Sequence, residues 1–224
     1  MAKDPVYGTS FHYQDEEGEQ YFQWQNRRGS IDGKIEARKF AKFNFEESIV
    51  LDFGAGGGNL LANLDARVKI AVEINESAHQ QLHRIGASVH HSIESVSDKS
   101  VDVVISHHSL EHVPYPIEAL KQMKRVLKDD GILLLWIPID DWREQKRFEK
   151  SQINHHLQTW TPQLIGNSLT EAGFNVDKLK IDIVTHAWFP GYFWFYRFPG
   201  FDALCRVFGF IRKRRQIRIV ARMF

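Results

Sequence analysis

Residues 49–60 read IVLDFGAGGGNL, and their reading decides the fold. Three apolar residues, Ile49, Val50 and Leu51, run into Asp52, and glycines follow at Gly54, Gly56, Gly57 and Gly58. A short unbroken apolar run suits a strand buried on both faces of a parallel sheet. Glycines, lacking a Cβ, suit a tight turn whose backbone comes close to a ligand. Asn59 stands where a cap would open a helix near Leu60. Strand, glycine turn and helix N-terminus make a nucleotide-binding corner at the carboxyl end of the first strand.

Two ligand classes compete for that corner. A dinucleotide fold asks for G-x-G-x-x-G, and here Asn59 leaves the third glycine's place unfilled. A carboxylate at Asp52 would repel a pyrophosphate, whereas a sulfonium cofactor with a free amino group tolerates it. On these residues the stretch resembles motif I of the class I S-adenosylmethionine (SAM)-dependent methyltransferases, a hydrophobic pair followed by D-x-G-x-G-x-G. The match falls at Asp52, Gly54, Gly56 and Gly58.

Working outward, Val68, Ile70 and Val72 alternate and end at Glu73, 21 positions beyond Asp52. An acid at the end of a second parallel strand accepts hydrogen bonds from both ribose hydroxyls. SAM and NAD folds share that feature, so Glu73 supports a nucleoside without choosing between them. Residues 76–85 read as a helix and 87–90 as a third strand. In the family the next loop offers an acid–small pair to the adenine; this sequence has Ser92, Ile93 and Glu94 instead.

The fourth strand, VDVVIS at 101–106, runs into HHSLEHVPYP. That block resembles the type 11 branch of the same methyltransferases, where a strand with a polar end is followed by LEHV, here Leu110 to Val113. The next stretch repeats the branch's signature: a helix with Leu120, Met123, Val126 and Leu127 inward, a turn at Asp130–Gly131, and a fifth strand ending at Pro138. Gly131 is expected to end that helix with a positive φ. Residues 139–160 would cover the same rim. Thr161 as cap, Pro162 in the first turn and Gly173 at the end frame one more helix. Phe174 to Val184 reads as the sixth strand, and Ile217, Ile219 and Ala221 mark the last. In the family these two form an antiparallel hairpin at the sheet edge.

The ends of the chain are less regular. Residues 1–48 form an N-terminal cap region with a helix expected over 31–43, which either helps close the cofactor pocket or merely covers the sheet edge. No firm structure is assigned to 7–24, and Tyr21, Trp24 and Arg28 are secondary site candidates. Residues 186–214 are an insertion before the last strand. Eleven aromatics stand between Trp188 and Phe210, and seven basic residues against one acid lie from Phe201 to Phe224. Such a mixture suits an anionic membrane surface. A homodimer interface, a lid over the acceptor and nucleic acid compete with it, nucleic acid being the least favoured.

A chain of 224 residues accommodates one sizeable α/β domain with an insertion. Its 43% hydrophobic and 25% charged content excludes global disorder. The single Cys205 excludes an intramolecular disulfide. No leader pattern opens the sequence and no apolar run reaches membrane-span length, so a cytoplasmic location is expected, with membrane association through 188–215.

Several histidines raise the question of a metal. His107, His108, His112, His155 and His156 offer ligands, yet no H-x-x-x-H pattern recurs with a defined acidic third ligand. Pro114 and Pro116 also shorten any helix through His108 and His112. The reading therefore assigns no metal and gives histidine the general-base role: His112 first, His156 second, His155 beside it.

The resemblance implies a Rossmann-like seven-stranded, mostly parallel sheet with helices on both faces and an antiparallel last strand. It implies a single SAM-dependent methyltransferase domain acting on an oxygen, less readily a nitrogen or carbon, of a small molecule, sugar or lipid. Its cofactor set would be Asp52, Gly54, Ala55, Gly56, Gly58, Glu73, Ile74, Ser92, Ile93, Ser106 and His107, with Ile74 and Ile93 sandwiching the adenine. A non-catalytic SAM-binding or protein-partner module of this fold and an NAD-linked oxidoreductase are the alternatives.

Overall fold

A computed structural model of the protein describes residues 10–27, 29–141, 145–149 and 152–224. The cap region supplies α1 (Asp15–Asn26) and α2 (Gly29–Ala37), with three acids in the first turn of α1, where they favour the helix dipole. The alternating unit follows: β1 (Ile49–Phe53), β2 (Val68–Val72), α3 (Glu76–Arg84), β3 (Ser88–His90), β4 (Val101–His107), α4 (Pro116–Val126) and β5 (Leu127–Ile139). After α5 (Pro162–Glu171) and β6 (Leu179–Thr185) come α6 (Tyr192–Phe195), α7 (Phe201–Ile211) and β7 (Arg215–Arg222).

The seven strands form one sheet in the order β3-β2-β1-β4-β5-β7-β6. The first five are parallel, and β7 runs antiparallel to both β5 and β6. Strand order reverses between β1 and β4, which opens a crevice at their carboxyl ends.

The central strands are apolar on both faces because both are covered. Leu51, Val104, Leu133 and Leu135 pack with Leu120 and Met123 of α4 and Ile165 and Leu169 of α5. The alternate residues Val50, Val103, Ile105, Leu134 and Trp136 pack with Phe40, Leu61 and Leu82. Each such fully buried side chain contributes roughly 1.5–3 kcal/mol. Among the described residues no helix is long and apolar enough to cross a membrane.

The structure departs from the sequence reading in several places. Only a 3-10 turn, Leu61–Asn63, follows the glycines. Asn59 caps nothing: it donates to Asn26 Oδ1 at 2.9 Å, and α2 presses on it so closely that a Cβ on Gly33 would sit 2.1 Å from Asn59 O. Gly131 is not a helix end. Residues 127–139 are strand, and the glycine is there for room, since a Cβ would come 3.0 Å from Lys128 O and 3.2 Å from Asp102 O. β6 begins only at Leu179, because Asn175 accepts the Asp177 N–H at 3.0 Å and holds Val176–Lys178 in a 3-10 turn with Val176 exposed. The 7–24 stretch does hold structure, the helix α1. Arg28, like Tyr7, lies outside the described residues.

The 186–214 insertion folds into α6 and α7. Tyr192, Phe201 and Cys205 form a small core with Ile35 of α2. A Cβ on Gly209 would lie 2.9 Å from the backbone at His186 and Ala187, so α7 packs directly against main chain.

Candidate active site

The carboxyl ends of β1, β2 and β4 open into a cavity of about 350 Å³, whose walls include Gly54, Gly56, Glu73, Ile74, Ser92 and Ile93. The glycine turn forms one wall. Gly54 and Gly56 hold φ values of +73° and +52°, a region that L side chains enter only with strain. Gly56 N–H donates to Glu73 Oε2 at 2.6 Å, and Asn75 N–H donates to Glu73 Oε1 at 2.8 Å. These two bonds lock the acid after β2 into the turn after β1. A further lone pair on each oxygen is available to a ligand's hydroxyls.

Burial raises the pKa of Glu73 despite those bonds. Asp52, beneath the turn, is pushed up to about 8 by burial first and then by the charge of Glu73. Two adjoining buried carboxyl groups favour a ligand that brings positive charge to Asp52. A nucleoside with a cationic amino end fits this cradle. Ser92 Oγ donates to the Glu94 carboxylate at the cavity rim, and Ile93 is buried.

Of the other residues assigned from sequence, Asp52 and Ala55 face a second cavity, and Gly58 and Ser106 line neither. Gly58, at φ +70°, is where the chain passes α3: a Cβ would sit 2.6 Å from Leu82 and 2.7 Å from Ile85. It provides the close helix packing that the third glycine of a dinucleotide motif provides. Ser106 is enclosed within the sheet, its Oγ without a hydrogen-bond partner among the described residues.

The second cavity, about 810 Å³, shares Tyr21, Gln25, Gly54, His107, His108 and His112 with the first. It extends to Asp140 and His156, and to Trp188 and Tyr192 of the insertion. Helix α1 thus covers both cavities. Tyr21 stood only as a secondary candidate, and Gln25 and Tyr13 had none of the motif signals that sequence reasoning uses. His107 is held by the cap region, its Nε2 lying 2.7 Å from Glu36 Oε2 of α2 and 2.8 Å from Nζ of Lys39 in the turn after it.

The Leu110–His112 3-10 turn points Glu111 into the protein. Glu111 is 0% exposed, and neither carboxyl oxygen has a hydrogen-bond partner among the described residues. Leu157 and Gln158 donate their N–H groups to Glu111 O at 2.8 and 3.0 Å. Those bonds fasten the 152–160 segment over the turn and bring His156 beside His112, ring centroids 4.9 Å apart.

Both rings are oriented through Nδ1. Tyr13 Oη donates to Asn154 O at 2.7 Å, so at its 2.7 Å contact with His112 Nδ1 the ring carries the proton. His156 Nδ1 lies 2.7 Å from Asp140 Oδ2. Each Nε2 keeps a free lone pair when its ring is neutral.

Burial, then the neighbouring His156, hold His112 down at about 4. For His156 burial acts downward, but the Asp140 bond and charge outweigh it and raise the pKa. Burial pushes Glu111 up to about 8. His155 is not part of this group: it stacks on His12, centroids 4.5 Å apart, and lines neither cavity. Glu111 is the acid that the histidine spacing lacked. It sits one position before His112, and only the turn geometry shows that it shares their space.

Comparison with known proteins gives consistent relatives. The family model described as "Methyltransferase domain" matches residues 24–179. The ubiquinone biosynthesis O-methyltransferase of Haemophilus ducreyi is 34% identical over 102 residues, spanning 38% of this chain and 43% of that relative's length. A SAM-dependent methyltransferase from Thermotoga maritima, described as a possible histamine N-methyltransferase, superposes with a TM-score of 0.65 at 20% identity, covering 92% of this chain and 95% of that one. Phosphoethanolamine N-methyltransferase 2 from Haemonchus contortus, solved with SAM, gives a TM-score of 0.60 at 14% identity, covering 95% and 57%.

Proposed function

The chain belongs to the methyltransferase-domain family, and from that premise we propose that it carries a methyl group from SAM to an oxygen of a small molecule, sugar or lipid. One observation supports this reading above others. The smaller cavity, lined by Glu73, shares the wall formed by Gly54, His108 and His112 with a larger one that Asp52 lines and that ends in a histidine–carboxylate cluster. Donor and acceptor can therefore meet in line, and holding them so supplies much of the rate.

When bound, SAM supplies a methyl group on a sulfonium and leaves as S-adenosylhomocysteine. Gly54 and Gly56 would let the backbone approach the methionine portion, Asp52 would meet its amino group from the side of the larger cavity, and Glu73 would accept from the ribose hydroxyls. Ile74 and Ile93 would flank the adenine, with Ser92 at its edge, His107 on the wall common to both cavities and Ala55 in the larger one. Gly58 supports the turn from behind. An acceptor hydroxyl would lose its proton to the Glu111–His112–His156 cluster, or through it to water, as its oxygen takes the methyl.

The acceptor's class is drawn from the second cavity and the insertion beside it. Helix α7 buries Phe201 and Cys205 and leaves Leu204, Val207, Phe210 and Ile211 exposed on its outer side, with Arg206, Arg212 and Lys213 exposed next to them. That face suits an anionic membrane, which supports an amphiphilic acceptor reached from the lipid surface. The O-methyl activity in the name of the Haemophilus ducreyi relative supports oxygen, while the N-methyltransferase neighbours share the fold alone.

A thermal-shift comparison of SAM, S-adenosylhomocysteine and NAD tests the cofactor. Stabilisation by the first two is expected; stabilisation by NAD alone would overturn the reading in favour of an oxidoreductase. Methyl-labelled SAM incubated with separated lipid and sugar fractions tests the acceptor, with label expected in the lipid fraction.

A further inference from the structure

The geometry points to a divalent first-row transition-metal site formed by Glu111, His112 and His156, open toward the larger cavity. Its purpose rests on the methyl-transfer reading, but its existence does not.

One ligand atom from each of these side chains lies within 4.8 Å of the other two. His112 Nε2 is 4.0 Å from Glu111 Oε1. The cluster is rich in acceptors: a carboxylate whose two oxygens lack hydrogen-bond partners among the described residues, with His108 Nδ1 3.8 Å from Oε1, and two imidazoles whose Nδ1 atoms are already engaged. A buried acid with no partner is costly, and a cation at its centre removes that cost.

The surrounding groups favour a metal over a single proton. Ligating histidines are usually fixed by a carboxylate or another polar group on the remote nitrogen. Asp140 does this for His156 and Tyr13 for His112. Their peptide frame is fixed as well, through Leu157 and Gln158 on Glu111 O. Tetrahedral ligand atoms stand roughly 3–3.5 Å apart around zinc, so closure needs only small side-chain rotations.

Two imidazoles and one carboxylate make a three-ligand set that keeps a coordination position open. Such nitrogen-rich sites select Zn²⁺, Mn²⁺ or Fe²⁺ over the oxygen-seeking Mg²⁺ and Ca²⁺. The open position faces the cavity where an acceptor oxygen would stand, and a bound ion there favours the ionised oxygen.

Tag-free, full-length protein, stripped with chelator and titrated calorimetrically with Zn²⁺, Mn²⁺ and Mg²⁺, tests the site. We expect one Zn²⁺ or Mn²⁺ per chain, bound at least a hundredfold more tightly than Mg²⁺. Glu111→Gln and His156→Gln should each weaken that binding at least tenfold. S-adenosylhomocysteine affinity, measured on the same samples, should change less than threefold, which shows the variants folded. Co²⁺ substitution should give a visible d–d spectrum that Glu111→Gln alters. Absence of tight binding by folded wild type, equal binding of Mg²⁺, or full binding by Glu111→Gln would each overturn the site. Loss of S-adenosylhomocysteine affinity in wild type would instead remove the cofactor reading and leave the ion measurement standing.

Discussion

Gly56 donates its N–H to Glu73 Oε2 at 2.6 Å, so the turn after β1 and the acid after β2 act as one unit. An alanine at 56 disturbs that unit twice. It takes φ +52°, and its Cβ would lie 2.5 Å from Gln25 Oε1 at the cavity wall. The strain alone costs about 1–3 kcal/mol. Gly56→Ala should weaken S-adenosylhomocysteine binding at least tenfold by calorimetry. Adding Gln25→Ala should not restore it, because removing the contact leaves the backbone strain in place.

Gly58 offers the contrasting case. Its φ is +70°, but its Cβ would meet Leu82 and Ile85 on the side away from the cavities. Gly58→Ala should lower stability by about 1–3 kcal/mol in urea titrations, while the folded fraction binds S-adenosylhomocysteine within threefold of wild type. A large loss of affinity with unchanged stability would place Gly58 against the ligand after all.

Asp52 predicts a pH dependence. Free protein holds this acid protonated up to about 8, against its ordinary 3.8. Binding an amino group requires the ionised form, so ligand entry releases a proton below pH 8. S-adenosylhomocysteine affinity should rise with pH between 6 and 8, by up to about tenfold per unit, and Asp52→Asn should bind weakly and with a flatter profile. The same shift works against the free protein. The unfolded chain ionises near 3.8 and the folded one near 8, so this group removes stability as pH rises through that window, at most about 1.4 kcal/mol per unit. Ligand-free Asp52→Asn should melt above wild type at pH 8, with the gap narrowing toward pH 5.

Features of the site that depend on backbone period or turn chemistry were legible in the sequence. Ile49 to Asp52, Val68 to Glu73 and Val101 to Ser106 read as strands because apolar runs and their ends are local signals. Thr161 capped its helix as expected, accepting the Leu164 N–H at 3.1 Å. What escaped was set by distant partners. Asn59 lost its cap role to Asn26 and Gln81, and Gly131 answered to the carbonyl of Asp102. Glu111 gained its importance from the chain around His156, 45 positions later. His155 and His156 are adjacent in sequence, yet a left-handed φ of +43° at His155 accompanies their divergence, and only His156 reaches the cavity.

The exposed side chains of α6 and α7 separate folding from partner binding. Phe210 is 77% and Trp194 79% exposed, so neither holds the domain together. A burial of two such aromatics at a lipid interface contributes a few kcal/mol, roughly 25 cal/mol per Å² of apolar area. Each cation near an anionic surface adds about 1 kcal/mol. Phe210→Ser with Trp194→Ser should therefore reduce sedimentation with phosphatidylglycerol vesicles at least tenfold while shifting the melting temperature by no more than about 2 °C. Arg212→Gln with Lys213→Gln should weaken binding to anionic vesicles and leave the small affinity for neutral phosphatidylcholine unchanged, because the charge acts only on a charged surface. Vesicle binding that ignores both pairs would rule out the lipid face. A wild-type mass of two chains in solution that these apolar substitutions halve would assign the same surface to a second copy instead.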